Sequence, residues 1–215
     1  MNPPQDHEPA GEPASALAHL VPLGPVEDLY TEVVAANLQA LLGLTTDILP
    51  HRPLFAEAFV EARRQYDAVR LVGRLAEGIE GAGPCLGLTA SDIGTPILTY
   101  VFGESQLGGR VALVSTYRLT GLGPDTTLER LVKVSMHEMG HVLGLGHCFE
   151  PVCLMRSPRN IEQIDEAPSA FCDTCRYEIT RRVRQLERLV QGSCEAPATG
   201  ADAPSPRPAR RPRSG

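Results

Sequence analysis

The chain has 215 residues, 42% hydrophobic and 21% charged, a balance that supports one domain with its own core and excludes a wholly disordered chain. A formal net charge of −6, with no Lys or Arg before Arg52, leaves no electrostatic footprint for nucleic acid, and every apolar run is broken before the ~18 residues of a membrane span. The opening MNPPQDHEPAGEP lacks the basic and apolar regions of a secretory signal, so a cytoplasmic protein with no nucleic-acid or membrane partner is expected.

Residues 1–16 carry four prolines and three acidic groups without apolar periodicity, and 195–215 carry five prolines and four arginines; both segments read as disordered. Between them 17–194 reads as one domain, 17–147 and 148–194 forming its two parts. His19 to Leu23 is the first expected strand, ended by Gly24-Pro25. A helix over 27–42 follows from the spacing of Leu29, Tyr30, Val33, Val34, Leu38 and Leu41, and Leu44 to Leu49 reads as a second strand. Phe55 to about Glu77 has helical spacing, as one helix or two. Cys85 to Ser91 is the next strand, and Ile97 to Gly103 with Arg110 to Tyr117 forms a hairpin across Gly108-Gly109. Thr126 or Thr127 is the expected cap of a long helix that ends at Gly144. Pro151 to Phe171 has little periodicity, and 173–191 is a final amphipathic helix. This order predicts an α/β fold: a twisted, mixed, mainly parallel sheet with one antiparallel edge strand.

The long helix carries His137-Glu138-Met139-Gly140-His141, then Gly144 and His147. Positions i and i+4 lie on one helix face, so both imidazoles reach one cation while Glu138 borders the same site. Gly144 lets the chain turn so that His147 supplies a third ligand. Three histidines leave a fourth tetrahedral position for water, the arrangement of a catalytic zinc, and the neighbouring carboxylate is placed to act as general base. The full HExxHxxGxxH string is far rarer by chance than HExxH alone. His7, His19 and His51 share no such pattern and read as ordinary.

Four cysteines follow closely: Cys148, Cys153, Cys172 and Cys175. In a reducing compartment two short-spaced pairs fit a structural zinc held by four thiolates better than two disulfides. His147 and Cys148 are adjacent in a non-helical stretch and point to opposite sides, so they serve different metals. Two Zn2+ per chain are therefore expected. Cys85 reads as a core residue and Cys194 as an exposed tail thiol. Met155, two residues past Cys153, reads as a soft apolar floor under the histidines.

HEMGHVLGLGHC, then C-L-M, then CDTC, resembles the archaemetzincins, a branch of the metzincin zinc peptidases. The spacing between Met155 and Cys172 is one residue shorter than the family pattern, a difference an irregular loop absorbs. The resemblance implies His137, His141 and His147 on catalytic zinc and Glu138 as base. It further implies Cys148, Cys153, Cys172 and Cys175 on structural zinc and Met155 as the Met-turn residue. It also implies an edge strand above the cleft, placed at Thr99, Val101 and Gly103, that would hold a peptide substrate, and a monomer suffices for this. Two alternatives use the same ligands: a zinc-stabilised peptide-binding protein with little turnover, and a zinc amidase acting on a non-peptide substrate. Glu138 argues against the first, since a scaffold needs no base, and substrate profiling separates the second.

Overall fold

The computed structural model describes residues 17–81, 83–121 and 123–194. The terminal segments 1–16 and 195–215, with His7, and the side chain of Cys194 lie outside the described residues. Two sheets form. The larger contains β1 (Ala18–Leu23), β2 (Thr46–Ile48), β5 (Cys85–Thr89), β7 (Gly103–Ser105) and β8 (Val111–Ser115), in the order β2-β1-β5-β8-β7. All its pairs are parallel except β7 with β8, which is antiparallel, the mixed topology expected from the sequence. The smaller sheet joins β3 (Phe59–Val60), β4 (Gln65–Asp67) and β6 (Ile93–Gly94).

The central strands β5 and β8 are buried along their whole length, as parallel strands covered on both faces must be. Alternate side chains divide between two cores. Leu20, Leu86, Leu88, Ala112 and Val114 pack on one face with α1 (Asp28–Asn37), α3 (Pro124–Val142) and the first turns of α5 (Asp173–Cys194). Val21, Leu23, Cys85, Val111 and Leu113 pack on the other with α2 (Ala68–Gly78). Each wholly buried leucine among them contributes roughly 1.5–3 kcal/mol. The first helix continues past Asn37 as a π-helical turn, Leu38–Leu42. Among the described residues no helix is long and apolar enough to cross a membrane.

Four sequence expectations are corrected. Residues 55–67 are not helical: 3-10 turns at Ala56–Ala58 and Glu61–Arg63 alternate with β3 and β4, and α2 begins only at Ala68, capped by the Asp67 carboxylate on the amides of Val69 and Arg70. The long helix starts earlier than Thr126 or Thr127, at Pro124, whose fixed φ and missing N–H suit the first helical position. A further helix, α4 (Ile161–Glu166), lies in the stretch without periodicity; Asn160 caps it by accepting from the Gln163 amide.

The fourth concerns the edge strand. It is Gly103–Ser105, not Ile97 to Gly103. Between 95 and 101 the backbone is claimed by other partners. Arg63 donates to the carbonyls of Thr95, Leu98 and Thr99 at 2.9, 3.0 and 3.0 Å, and the Val101 amide donates to Ile93 O at 3.1 Å. Arg118 lies over the Tyr100 ring at 4.4 Å while bonding both oxygens of Asp92. Thr99 and Val101 therefore line the cleft from a braced loop, and only Gly103 of the three expected edge residues lies in β7.

Candidate metal centres

The last turns of α3 place His137 and His141 on one face, their Nε2 atoms 3.0 Å apart. Gly144 then takes a φ of 90°, a left-handed conformation that costs glycine little, and the chain leaves the helix. His147 returns with its ring centroid 5.4 Å from that of His137 and 4.8 Å from that of His141. The ligating atoms of all three lie within 4.8 Å of one another.

Each Nδ1 on α3 faces a backbone carbonyl: His137 lies 2.9 Å from Leu154 O and His141 2.7 Å from Leu145 O. Those nitrogens therefore carry the ring protons, and the two Nε2 lone pairs face each other. Burial favours the neutral rings, holding His137 down to about 4 and lowering His141. Facing lone pairs at 3.0 Å repel unless a cation sits between them, so the donor set fits a bound metal ion and fits poorly without one.

Glu138 projects to the same cleft. Its Oε2 accepts a hydrogen bond from Ser105 Oγ at 2.5 Å, and desolvation pushes its carboxyl up to about 7 against the pull of that bond. Gly103 lies directly over it: a Cβ there would sit 2.6 Å from Glu138 Cγ, so the close approach of β7 to α3 requires glycine. The register of β7 also sets its free edge. Phe102 O accepts from the Ser115 amide and the Gln106 amide donates to Val111 O, both at 2.9–3.0 Å. Residues 102, 104 and 106 thus bond β8, while the N–H and C=O of Gly103 and Ser105 point outward over the cleft. This cleft of about 870 Å³ has β7 and the 98–102 loop on one side and 154–167 on the other, with His137, Glu138 and His141 between them.

The second group lies behind His147. Cys148, Cys153, Cys172 and Cys175 bring their four sulfurs within 4.8 Å of one another, and none is in a disulfide. Cys148 Sγ and Cys172 Sγ are 3.9 Å apart. Four sulfurs held tetrahedrally by zinc at about 2.3 Å stand roughly 3.8 Å apart, so this donor set also fits its metal. Burial raises the Cys153 and Cys175 thiols, whereas the Cys175 amide and neighbouring thiols lower Cys172. Cys85 is elsewhere, wholly buried in the sheet and pushed up to about 12 by that burial.

Backbone links join the groups: the Cys148 amide donates to Met155 O at 2.8 Å, and Leu154, between Cys153 and Met155, supplies the carbonyl at His137. Met155 is fully buried against α3, where a Cβ on Gly140 would fall 2.5 Å from its sulfur. Sequence reasoning missed Ser105 and Gly140. Gly140 stood inside the zinc motif as a helix-disfavouring residue and was open to detection; nothing in the sequence marked Ser105.

Residues 57–181 match the profile described as Peptidase family M54. A curated relative named Archaemetzincin, from Archaeoglobus fulgidus, is 35% identical over 148 residues, 69% of this chain and 89% of the relative. Another of that name, from Methanopyrus kandleri, is 37% identical over 129 residues, 60% of this chain and 73% of the relative. The crystal structure of the M. kandleri archaemetzincin superposes with a TM-score of 0.72 at 30% identity, covering 81% of this chain and 99% of that one. That of the A. fulgidus archaemetzincin complexed with malonate gives 0.68 at 31%, covering 75% and 99%.

Proposed function

We propose, from the premise that this chain belongs to peptidase family M54 and is a zinc metallopeptidase of the archaemetzincin kind, a mechanism in which each group has one task. His137, His141 and His147 hold a catalytic zinc; Cys148, Cys153, Cys172 and Cys175 hold a second, structural one. Zinc bound in the histidine site would supply Lewis acidity, enough to lower the pKa of water to about 7 and to polarise a carbonyl. Glu138 accepts a proton from the attacking water at Oε1 and returns it to the departing amine nitrogen. Ser105, bonded to Oε2, fixes the carboxylate rotamer, and Gly103 gives it room. An extended peptide pairs with the outward N–H and C=O groups of Gly103 and Ser105, which sets the scissile bond over the histidines without asking for particular side chains. Met155 forms the floor beneath them.

The observation that carries this reading is the convergence of three imidazoles and one desolvated carboxylate beneath an unpaired strand edge. One chain completes the site, so a monomer is enough. The protein is read as cytoplasmic, and four cysteines outside any disulfide support that reading. The test is a peptide library digested by the zinc-loaded protein and read by mass spectrometry, with Glu138→Ala as control. Products that vanish with the variant support the assignment; products that persist at the same rate sink it.

A further inference from the structure

The direction of β7 fixes which part of a substrate meets which wall. Gly103 lies over Glu138, and past the strand the Gly108 amide donates to His141 O at 2.8 Å. β7 therefore advances along the last turns of α3, from Glu138 toward the C-terminal end. A peptide paired antiparallel to β7 runs the other way, so the residues after the scissile bond pass toward Lys133, one helical turn before His137. There the cleft wall is apolar: Val134, Leu154, Ile164 and Ala167 line it.

The cations around this wall fall into two kinds. Those underneath are neutralised. Lys133, the only lysine in the chain, spends its three ammonium protons on Glu129 Oε1 at 2.8 Å and on the carbonyls of Ile164 and Asp165 at 3.2 and 3.1 Å. Arg130 grips both oxygens of Asp165 at 2.6 and 2.7 Å and the Leu119 carbonyl at 3.1 Å. The two on the rim are not. Arg156 and Arg159 line the same cleft and are exposed, and among the described residues neither guanidinium has a carboxylate partner. Their backbone is held all the same. The Arg156 amide donates to Cys153 O, the Arg159 amide donates to Gln163 Oε1 at 2.7 Å, and Pro158 stands between them. Two exposed guanidinium groups on one wall of the cleft, without a carboxylate partner among the described residues, offer the planar donor forks that suit a carboxylate.

We infer that Arg156 and Arg159 select peptides carrying a carboxylate shortly after the scissile bond, beyond an apolar residue seated against Val134, Leu154 and Ile164. This rests on the peptidase reading of the same cleft. The carboxylate has two sources, an Asp or Glu side chain or the free C-terminus. Four peptides identical up to the scissile bond distinguish them, one position carrying Glu or Gln and the C-terminus being acid or amide.

With zinc-loaded full-length protein, kcat/KM for a carboxylate-bearing peptide should exceed that of its neutral partner by roughly five- to tenfold at low salt, the scale of two exposed charge pairs. The preference should shrink in high salt and disappear in R156Q/R159Q. In R156E/R159E it should reverse toward a peptide with Lys at that position. Whichever carboxylate carries the preference identifies the source. Cleavage of all four peptides at equal rates, or a preference kept by R156Q/R159Q, overturns the inference. Affinities of the same peptides for zinc-loaded Glu138→Gln protein, measured by calorimetry, read the selection without turnover. Tighter binding of the acidic members in the absence of any wild-type cleavage supports the inference and defeats the peptidase reading; equal binding overturns the inference whether or not cleavage occurs.

Discussion

The two groups of potential metal ligands lie side by side yet close the chain in opposite ways. The histidines come from an eleven-residue window, and two of them are already in place because α3 is a helix with its own hydrogen bonds and a core-facing side. The cysteines come in two pairs separated by eighteen residues of which only α4 is regular, so their sulfurs meet only if the whole segment is tied down. The first centre is built on a scaffold that stands without it; the second is the scaffold of its own neighbourhood. An open site can then afford exchangeable metal, whereas a closed one cannot.

The sharpest way to break this contrast is Cys172→Ser. Structural zinc binds small modules with roughly 10–16 kcal/mol, comparable to the ~5–15 kcal/mol that holds a whole domain. Losing it should lower the melting temperature strongly and expose 151–171 to limited proteolysis, with activity falling because Leu154 no longer orients His137. An unchanged melting curve and digestion pattern would remove the structural role. Mild chelation of the wild type should sharpen the same contrast by taking one zinc of two, with activity lost and the melting curve little moved. Metal analysis and calorimetry on the same sample read both.

Glu138→Ala comes next. It should cut turnover by at least ~100-fold while both metals and the melting temperature stay, since the proposed task of the residue is to move a proton and not to hold a metal. The sign of the pH dependence follows from the base being needed ionised: rate falls as pH drops through the pKa of a carboxyl that desolvation pushes up toward 7. That acidic limb should be absent from the variant's residual rate.

Ser105→Ala should lower kcat by about tenfold with KM little changed, the scale of one hydrogen bond to a charged group, and Ser105→Thr should recover much of it. A KM effect without a kcat effect would make Ser105 a substrate contact instead of a positioning residue. The smallest change is Gly140→Ala. The gain of about 1 kcal/mol in helix propensity is outweighed by roughly 1–3 kcal/mol of overpacking against Met155, so thermal unfolding should shift down by a few degrees.

The same contrast explains what was legible in the sequence. The two donor groups were readable because each comes from a short string of potential metal-binding residues, and in each the donor atoms lie within 4.8 Å of one another. The parallel strands were readable as buried apolar runs. The edge strand was displaced because hydrophobic pattern cannot reveal that the Arg63 guanidinium claims the carbonyls of Leu98 and Thr99. The stretch 55–67 has helical spacing in its apolar residues, but β4 pairs with β6 from a distant part of the chain, and such pairing overrides local periodicity. α4 escaped because a six-residue helix depends on a side-chain cap and on Lys133 and Arg130 reaching across to Asp165 and its neighbours. Ser105 escaped because a serine's partner is a matter of tertiary placement.

The adjacency of His147 and Cys148 has an engineering consequence. One peptide unit is shared between a ligand of each group, and the Cys148 amide is already bound to Met155 O. The chain from His141 to Cys153 is therefore a ruler without slack: one inserted residue between Gly144 and Cys148 would turn either the imidazole or the thiol away from its group. The stretch from Ser157 to Ala170 works differently, because its ends are fixed by Leu154, Met155 and Cys172 while its middle is a short capped helix. Residues added at exposed Ser169 lengthen a surface excursion, whereas α4 itself is pinned by buried Ile164 and by Arg130 on Asp165. In a library of single insertions the tolerated ones should accordingly cluster on that exposed flank after α4, and linkers or tags belong there.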